Sequence, residues 1–191
     1  MHRPHSSLPP QVRRHLLWLS LLVAASLIFS LGLACATPLA AFAAAVALTS
    51  SRRDALILIL SVWFANQFVG FTVLGYPWAA SAFAWGVALG ASAVLATLAG
   101  QWTASRSVDA ARVVRFLATA LAAFAAYEAA LFVVAATLLG GTEDFTAAIL
   151  GWIFVINAAA FVGLLVLHRL AVSVGLVADP SIPVHITEAH A

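Results

Sequence analysis

The sequence predicts an all-α integral membrane protein, folded as a bundle of six transmembrane helices with both termini in the cytoplasm. Two observations lead to this fold class. The chain of 191 residues is 64% hydrophobic and only 8% charged, whereas soluble domains carry roughly a quarter charged residues. In addition, all nine basic residues are arginines, and long apolar stretches separate them into four clusters.

The arginine clusters set the orientation of the chain. They contain Arg3, Arg13 and Arg14; Arg52 and Arg53; Arg106, Arg112 and Arg115; and Arg169. Six crossings that start in the cytoplasm place every cluster on the cytoplasmic side, as the positive-inside rule requires, whereas five or seven crossings do not. We therefore expect a multi-pass protein of the bacterial inner membrane, with disordered cytoplasmic tails at 1–15 and 178–191 around a membrane domain at 16–177.

The first two spans are expected at 16–33 and 39–48. The apolar stretch that contains both is about 34 residues long, too long for one span of about 20 residues, and Pro38 is the natural break in it. The second span is short and rich in alanine, which favours packing against other protein. An alternative is that the first span is a secretory signal, with Ala34-Cys35-Ala36 as its cleavage site.

The other four spans are expected at 55–74, 79–98, 116–139 and 145–167. In the fourth span Gly86 and Gly90 recur at a spacing of four residues, which predicts a helix-packing face. The predicted outer turns are Gly75-Tyr76-Pro77-Trp78 and the acidic segment 140–144.

Polar side chains in apolar surroundings indicate where a ligand could bind. Glu128 is the one carboxylate within a predicted span, and such a group should face the bundle interior or a water-filled cavity. The candidate binding residues of an outward-facing pocket for a small, neutral, partly aromatic molecule are Trp63, Asn66, Tyr76, Trp85, Glu128 and Asn157. Other interpretations remain open: the amides could form interhelical hydrogen bonds, Glu128 could brace two helices, and Tyr76 could belong to an interfacial aromatic belt.

Several classes of function are not expected. The sequence has no nucleophile paired with a base, no phosphate-binding loop and no metal-ligand spacing, so we predict neither an enzyme nor a bound cofactor. The arginines form no continuous basic patch, which argues against nucleic-acid binding. Cys35, near the outer mouth, could coordinate a soft metal centre or fill the core as a small apolar residue.

The overall plan resembles the substrate-binding S-component of energy-coupling-factor (ECF) vitamin transporters. The resemblance lies in the chain length, the six spans with both termini inside, the early alanine-rich helix and the outward pocket. Ala36, Ala40 and Ala44 resemble the small-residue motif by which that family meets its membrane coupling module. The resemblance implies vitamin uptake across the inner membrane. Through the solitary BtuM-type carriers, it implies cobalamin as the substrate and Cys35 as a cobalt ligand.

Two other functions fit the same pattern of residues. One is a transporter coupled to protons or cations, in which Glu128 is the titrating group. The other is an accessory subunit that does not transport and that uses its glycine and alanine faces to dock a larger membrane complex or a second copy of itself. Expected partners are thus the lipid bilayer, a small-molecule substrate and a coupling module or second copy.

Overall fold

The computed structural model describes residues 10–33 and 37–176, and every regular element in these ranges is a helix. The six α-helices are α1 (Pro10–Leu33), α2 (Leu39–Thr49), α3 (Arg52–Thr72), α4 (Ala80–Arg106), α5 (Arg112–Val134) and α6 (Ala147–Ser173). A π-helical turn, Ala135–Leu139, extends α5, and a 3-10 turn, Thr142–Asp144, precedes α6. The predicted all-α class is confirmed.

Four of these helices are long and apolar enough to cross a membrane: α3, α4, α5 together with its π-helical turn, and α6. Two apolar helical segments are shorter, namely Leu16–Phe29 within α1 and the whole of α2. Large apolar side chains such as Phe64, Phe68 and Leu138 point away from the protein and are more than half exposed. Such a surface is unfavourable in water and is that of a membrane-embedded helical protein.

The short helix α2 lies in the centre of the bundle. Every residue from Leu39 to Ala47 is buried, because α3, α4, α5 and α6 all pack against it. From α1, which packs mainly on α3, the ring of Phe29 meets the edge of Phe42 at 6.2 Å. Alanine side chains let the surrounding backbones approach closely. The sequence predicted that this short helix packs against other protein, and in the structure the other helices of the same chain surround it.

Most helices extend further than the apolar stretches that predicted them. The third starts at Arg52 rather than 55, because the hydroxyl of Ser51 caps it by accepting a hydrogen bond from the Asp54 backbone N–H. The fourth continues to Arg106 rather than ending at 98, and the fifth starts at Arg112 rather than 116. An apolar run marks the part of a helix suited to hydrocarbon, whereas the helix itself continues until a cap or breaker ends it.

The first and sixth helices differ from their predicted starts in opposite directions, the first starting earlier and the sixth later. The described part of the first helix starts at Pro10. Residues 10–15, expected in a disordered tail, are therefore helical. The sixth begins at Ala147 rather than 145, because the hydroxyl of Thr146 accepts a hydrogen bond from the Ile149 N–H.

The two ends of the bundle carry opposite charges. One end, which we call the arginine end, holds the starts of α1, α3 and α5 and the ends of α2, α4 and α6. The start of α1 and the end of α6 meet there, where the ring centroids of Trp18 and His168 lie 5.1 Å apart. The arginines of the described helices lie there: Arg13, Arg14, Arg52, Arg53, Arg106, Arg112, Arg115 and Arg169. The opposite end, which we call the acidic end, carries Glu143 and Asp144.

Candidate ligand-binding site

A cavity of about 260 Å³ opens at the acidic end, above the start of α2 and between α3, α4, α5 and α6. Its apolar wall comes largely from α6, through Ile149, Ile153 and Ile156. Its polar lining residues are Thr37, Asn66, Tyr76, Tyr127, Glu128, Asp144 and Asn157. A mainly apolar cavity with a few converging polar groups is the usual form of a small-molecule site.

The floor of the cavity is the first turn of α2, and two asparagines hold it in place. The side-chain oxygen of Asn157 accepts a hydrogen bond from the Ala41 backbone N–H at 3.0 Å. The side-chain nitrogen of Asn66 donates to the hydroxyl of Thr37, just before α2, at 2.5 Å. The first N–H groups of a helix lack partners within the helix, so Asn157 stabilises the start of α2 by accepting from one of them. Asn66 instead holds the side chain of Thr37, two residues before α2, and both amides line the cavity.

The side-chain nitrogen of Asn157 is also used, because it donates to the Ile153 carbonyl one turn earlier in α6 at 3.0 Å. This second bond fixes the orientation of the amide. Asn157 thus presents its oxygen to α2. The sequence left two alternatives for the asparagines, interhelical hydrogen bonding and the lining of a pocket. In the structure, Asn66 and Asn157 each bond to another part of the bundle and each line the cavity.

The cavity has an acidic lining. Glu128, half-buried on α5, and Asp144, exposed in the 3-10 turn, both contribute to it, and none of the lining residues is basic. A carboxylate flanked by apolar walls interacts more strongly with a charged or hydrogen-bonding ligand than one in water does. The arrangement therefore favours a cation, or a neutral molecule that donates several hydrogen bonds.

Tyr76 covers one side of the cavity from the turn after α3. Its backbone N–H donates to the Gly70 carbonyl at 3.0 Å, and its ring lies directly against Gly70, where any side chain would collide with it. The ring of Phe71 contacts that of Tyr76 at 5.8 Å between centroids. The absence of a side chain at Gly70 is what allows the Tyr76 ring to reach the cavity.

Of the six predicted binding residues, Asn66, Tyr76, Glu128 and Asn157 line the cavity, whereas Trp63 and Trp85 do not. Trp63 points towards α4, where its indole N–H donates to the Gly86 carbonyl at 2.8 Å. Trp85 packs against the protein core near Gly141. The structure thus places the rings of both tryptophans in contacts between helices and not in the lining of this cavity.

Thr37, Tyr127 and Asp144 line the cavity and were not among the predicted binding residues. Tyr127 was recognisable as the neighbour of Glu128, and Asp144 as a carboxylate in an outer loop. Thr37 carried no signal, because its place in the site depends on Asn66 from another helix. Cys35 and Ala36 lie outside the described residues.

The predicted packing residues have defined places in the bundle. A side chain at Gly86 would meet the Gln67 side chain, and one at Gly90 would lie 2.7 Å from the Trp63 ring. Ala40 and Ala44 are buried, and they form the floor of a second, apolar cavity of about 120 Å³ between α5 and α6.

Within residues 10–33 and 37–176, no three histidine, cysteine or acidic side chains lie close enough together to hold a metal ion. The chain matches no protein-family model, no curated protein and no solved structure.

Proposed function

We propose that this chain is a bacterial inner-membrane carrier of six spans that binds a small, vitamin-sized solute in the cavity at its acidic end. The observation that carries the proposal is the cavity itself, in which Glu128, Tyr127 and the two asparagines meet between apolar helix walls. Binding of the solute would be the first step of its uptake, as in the S-components that the chain resembles.

The orientation of the proposed carrier follows from its charges. The arginine end belongs in the cytoplasm by the positive-inside rule, so the acidic end and its cavity open to the outside. Six alternating helices return the chain to the cytoplasm, with the short α2 surrounded by the other helices rather than by lipid. This orientation supports uptake rather than export as the direction in which the solute first meets the protein.

The volume of the cavity favours a compact solute. At about 260 Å³, it lies just below the roughly 300–1,000 Å³ of sites that hold drug-sized ligands. A corrinoid is much larger than a drug-sized molecule. We therefore favour a smaller vitamin-like compound over cobalamin.

The acidic lining narrows the chemistry of the solute. An ammonium or other cationic nitrogen would complement Glu128 and Asp144, and additional N–H or O–H groups would be accepted by the tyrosine and carboxylate oxygens. We propose a cationic or donor-rich solute.

The test is to purify the full chain gently from its own membrane and identify any bound compound by native mass spectrometry. The affinity for that compound is then measured for the wild type and for Glu128→Gln. Loss of one charge-assisted hydrogen bond costs about 1.5–3 kcal/mol, so we expect at least about tenfold weaker binding. Glu143→Gln is the matched control, because Glu143 is an exposed acid that does not line the cavity.

Unchanged affinity in Glu128→Gln would contradict the proposed role of the carboxylate. Recovery of a ligand-free chain in fixed proportion to other membrane proteins would contradict the carrier and favour the accessory subunit.

Coupling to protons or cations is a second candidate, favoured by the position of Glu128 in the wall of the cavity, half-buried within α5. Uptake into proteoliposomes separates the two ideas. If Glu128 only binds solute, Glu128→Gln weakens uptake at every external pH. If Glu128 carries the coupling proton, the variant loses the pH dependence of uptake.

A further inference from the structure

We propose that the arginine end holds a second site, separate from the acidic cavity, which binds a phosphate group. The ligand is a phospholipid headgroup or free phosphate, since both present the same anionic oxygens. The inference rests on the side chains that converge at this end and does not depend on the proposed function.

A cavity of about 510 Å³ lies where the ends of α2 and α6 meet the start of α5. Arg112, Arg115 and Arg169 line it together with His168. None of its lining residues is acidic, and within the described residues no ion pair joins these arginines to a carboxylate. Three guanidinium groups thus share one space without a counter-charge from the described part of the chain.

Arg115 lies at the boundary between this cavity and a second one of about 670 Å³, which it lines with Arg52 and Gln101. Its Nε atom is buried and has no hydrogen-bond partner among the described residues, and the same is true of the Oε1 atom of Gln101. A buried charged donor without a partner is strongly unfavourable. An anion bound next to Arg115 would supply the missing acceptor.

The positive-inside rule explains why arginines lie at this end, but it does not explain why some of them converge. Arg53 lines neither cavity, and Arg106 lies over the ring of Trp102, with its guanidinium carbon 4.6 Å from the ring centroid. Arg53 and Arg106 therefore lie at the same end of the bundle without lining either cavity. Arg112, Arg115 and Arg169 instead surround a common cavity.

The chemistry of guanidinium groups identifies the ligand class. Their planar pairs of N–H groups match the oxygens of phosphate, to which they donate two parallel hydrogen bonds. Basic pockets between transmembrane helices on the cytoplasmic side are also where anionic phospholipid headgroups bind. The convergence of three arginines on a cavity beside lipid-facing helices therefore points to a phosphate group.

The experiment uses the full chain in detergent and two probes. Cardiolipin is added and its retention is measured by native mass spectrometry against phosphatidylcholine, and the binding of inorganic phosphate is measured by calorimetry. The variants are Arg115→Gln and the double variant Arg112→Gln/Arg169→Gln, with Arg53→Gln as the control. Both residues of the double variant are exposed, so it keeps the test valid if Arg115→Gln does not fold.

We expect the wild type and Arg53→Gln to bind at least one probe and the double variant to bind it at least about tenfold more weakly. Retention of cardiolipin alone assigns a lipid headgroup, and binding of phosphate alone assigns a free anion. The proposal is overturned if neither probe binds, or if Arg53→Gln weakens binding as much as the double variant does.

Discussion

Single amides line the cavity at the acidic end and also form hydrogen bonds around the start of α2. Asn157 joins α6 to the backbone of α2, and Asn66 joins α3 to Thr37, two residues before α2. Gln67, the neighbour of Asn66, has a buried side-chain nitrogen without a partner in the described part of the chain. Of the two adjacent amides on α3, Asn66 is hydrogen-bonded through its nitrogen and Gln67 is not.

Replacing Asn157 by leucine should destabilise the fold. The change leaves the Ala41 N–H without its side-chain acceptor and removes an interhelical hydrogen bond, which in membrane proteins contributes about 0.6 kcal/mol on average and up to about 1.7 kcal/mol. We expect a loss of about 1 kcal/mol in the free energy of unfolding, measured by titration with sodium dodecyl sulfate and circular dichroism.

Gln67→Leu is the control for this change, because it removes an amide that already lacks a partner for its nitrogen. It should leave the free energy of unfolding unchanged or raise it. An equal loss in both variants would show that the Asn157 bond to α2 has no special role.

At the scale of elements, the contact between α3 and α4 depends on glycines opposite large side chains. The indole of Trp63 occupies the space beside Gly90, and its N–H reaches the Gly86 carbonyl. The glycine spacing correctly indicated a close contact. The spacing did not indicate that the side chain opposite these glycines would be that of Trp63, which the sequence had predicted to face a ligand.

Gly90→Ala should separate α3 from α4. The added methyl group would lie 2.7 Å from the Trp63 ring, and overpacking of this kind costs about 1–3 kcal/mol. The same detergent titration measures the loss. Gly151→Ala on α6 is the matched control, because nothing lies within 4 Å of its new methyl group; alanine there should be neutral or stabilising by up to about 1 kcal/mol. If Gly90→Ala were as stable as Gly151→Ala, the proposed tight contact would be wrong.

The apolar stretches predicted where the helices lie, and the break at Pro38 correctly separated α1 from α2. Helix ends such as Arg106 and Arg112 were missed because helices continue past the hydrocarbon-like segment. The direction of Trp63 and Trp85 could not be read from the sequence, since it depends on which helix lies beside α3 and α4. Asn66, Glu128 and Asn157 were identifiable because a polar group in an apolar helix requires a partner or a cavity.

On the scale of the whole molecule, the charges divide the bundle into an arginine end and an acidic end. The two proposed sites lie at these opposite ends, with the acidic cavity lined by Glu128 and the basic cavities by Arg115. The separation follows from the alternation of the helices, which returns each arginine cluster to the same side.

The orientation can be tested by labelling engineered cysteines in a Cys35→Ala background. Glu143→Cys at the acidic end and Asp109→Cys at the arginine end are a matched pair, because each replaces an exposed acid in a loop. We expect a membrane-impermeant maleimide to label Glu143→Cys in cells with a permeabilised outer membrane. Asp109→Cys should be labelled only after the inner membrane is opened. The reverse pattern would place the arginines outside.

The central position of α2 also determines when the protein can finish folding. With 11 residues, α2 is about 16 Å long and cannot span a hydrocarbon core of about 30 Å. At its start the Ala41 N–H donates to Asn157 of α6, and the hydroxyl of Thr37 accepts from Asn66 of α3; α6 comes last among the described helices in chain order. The second helix of the chain therefore reaches its final environment only after the sixth has been inserted, so that assembly is completed around α2 rather than in the order of synthesis.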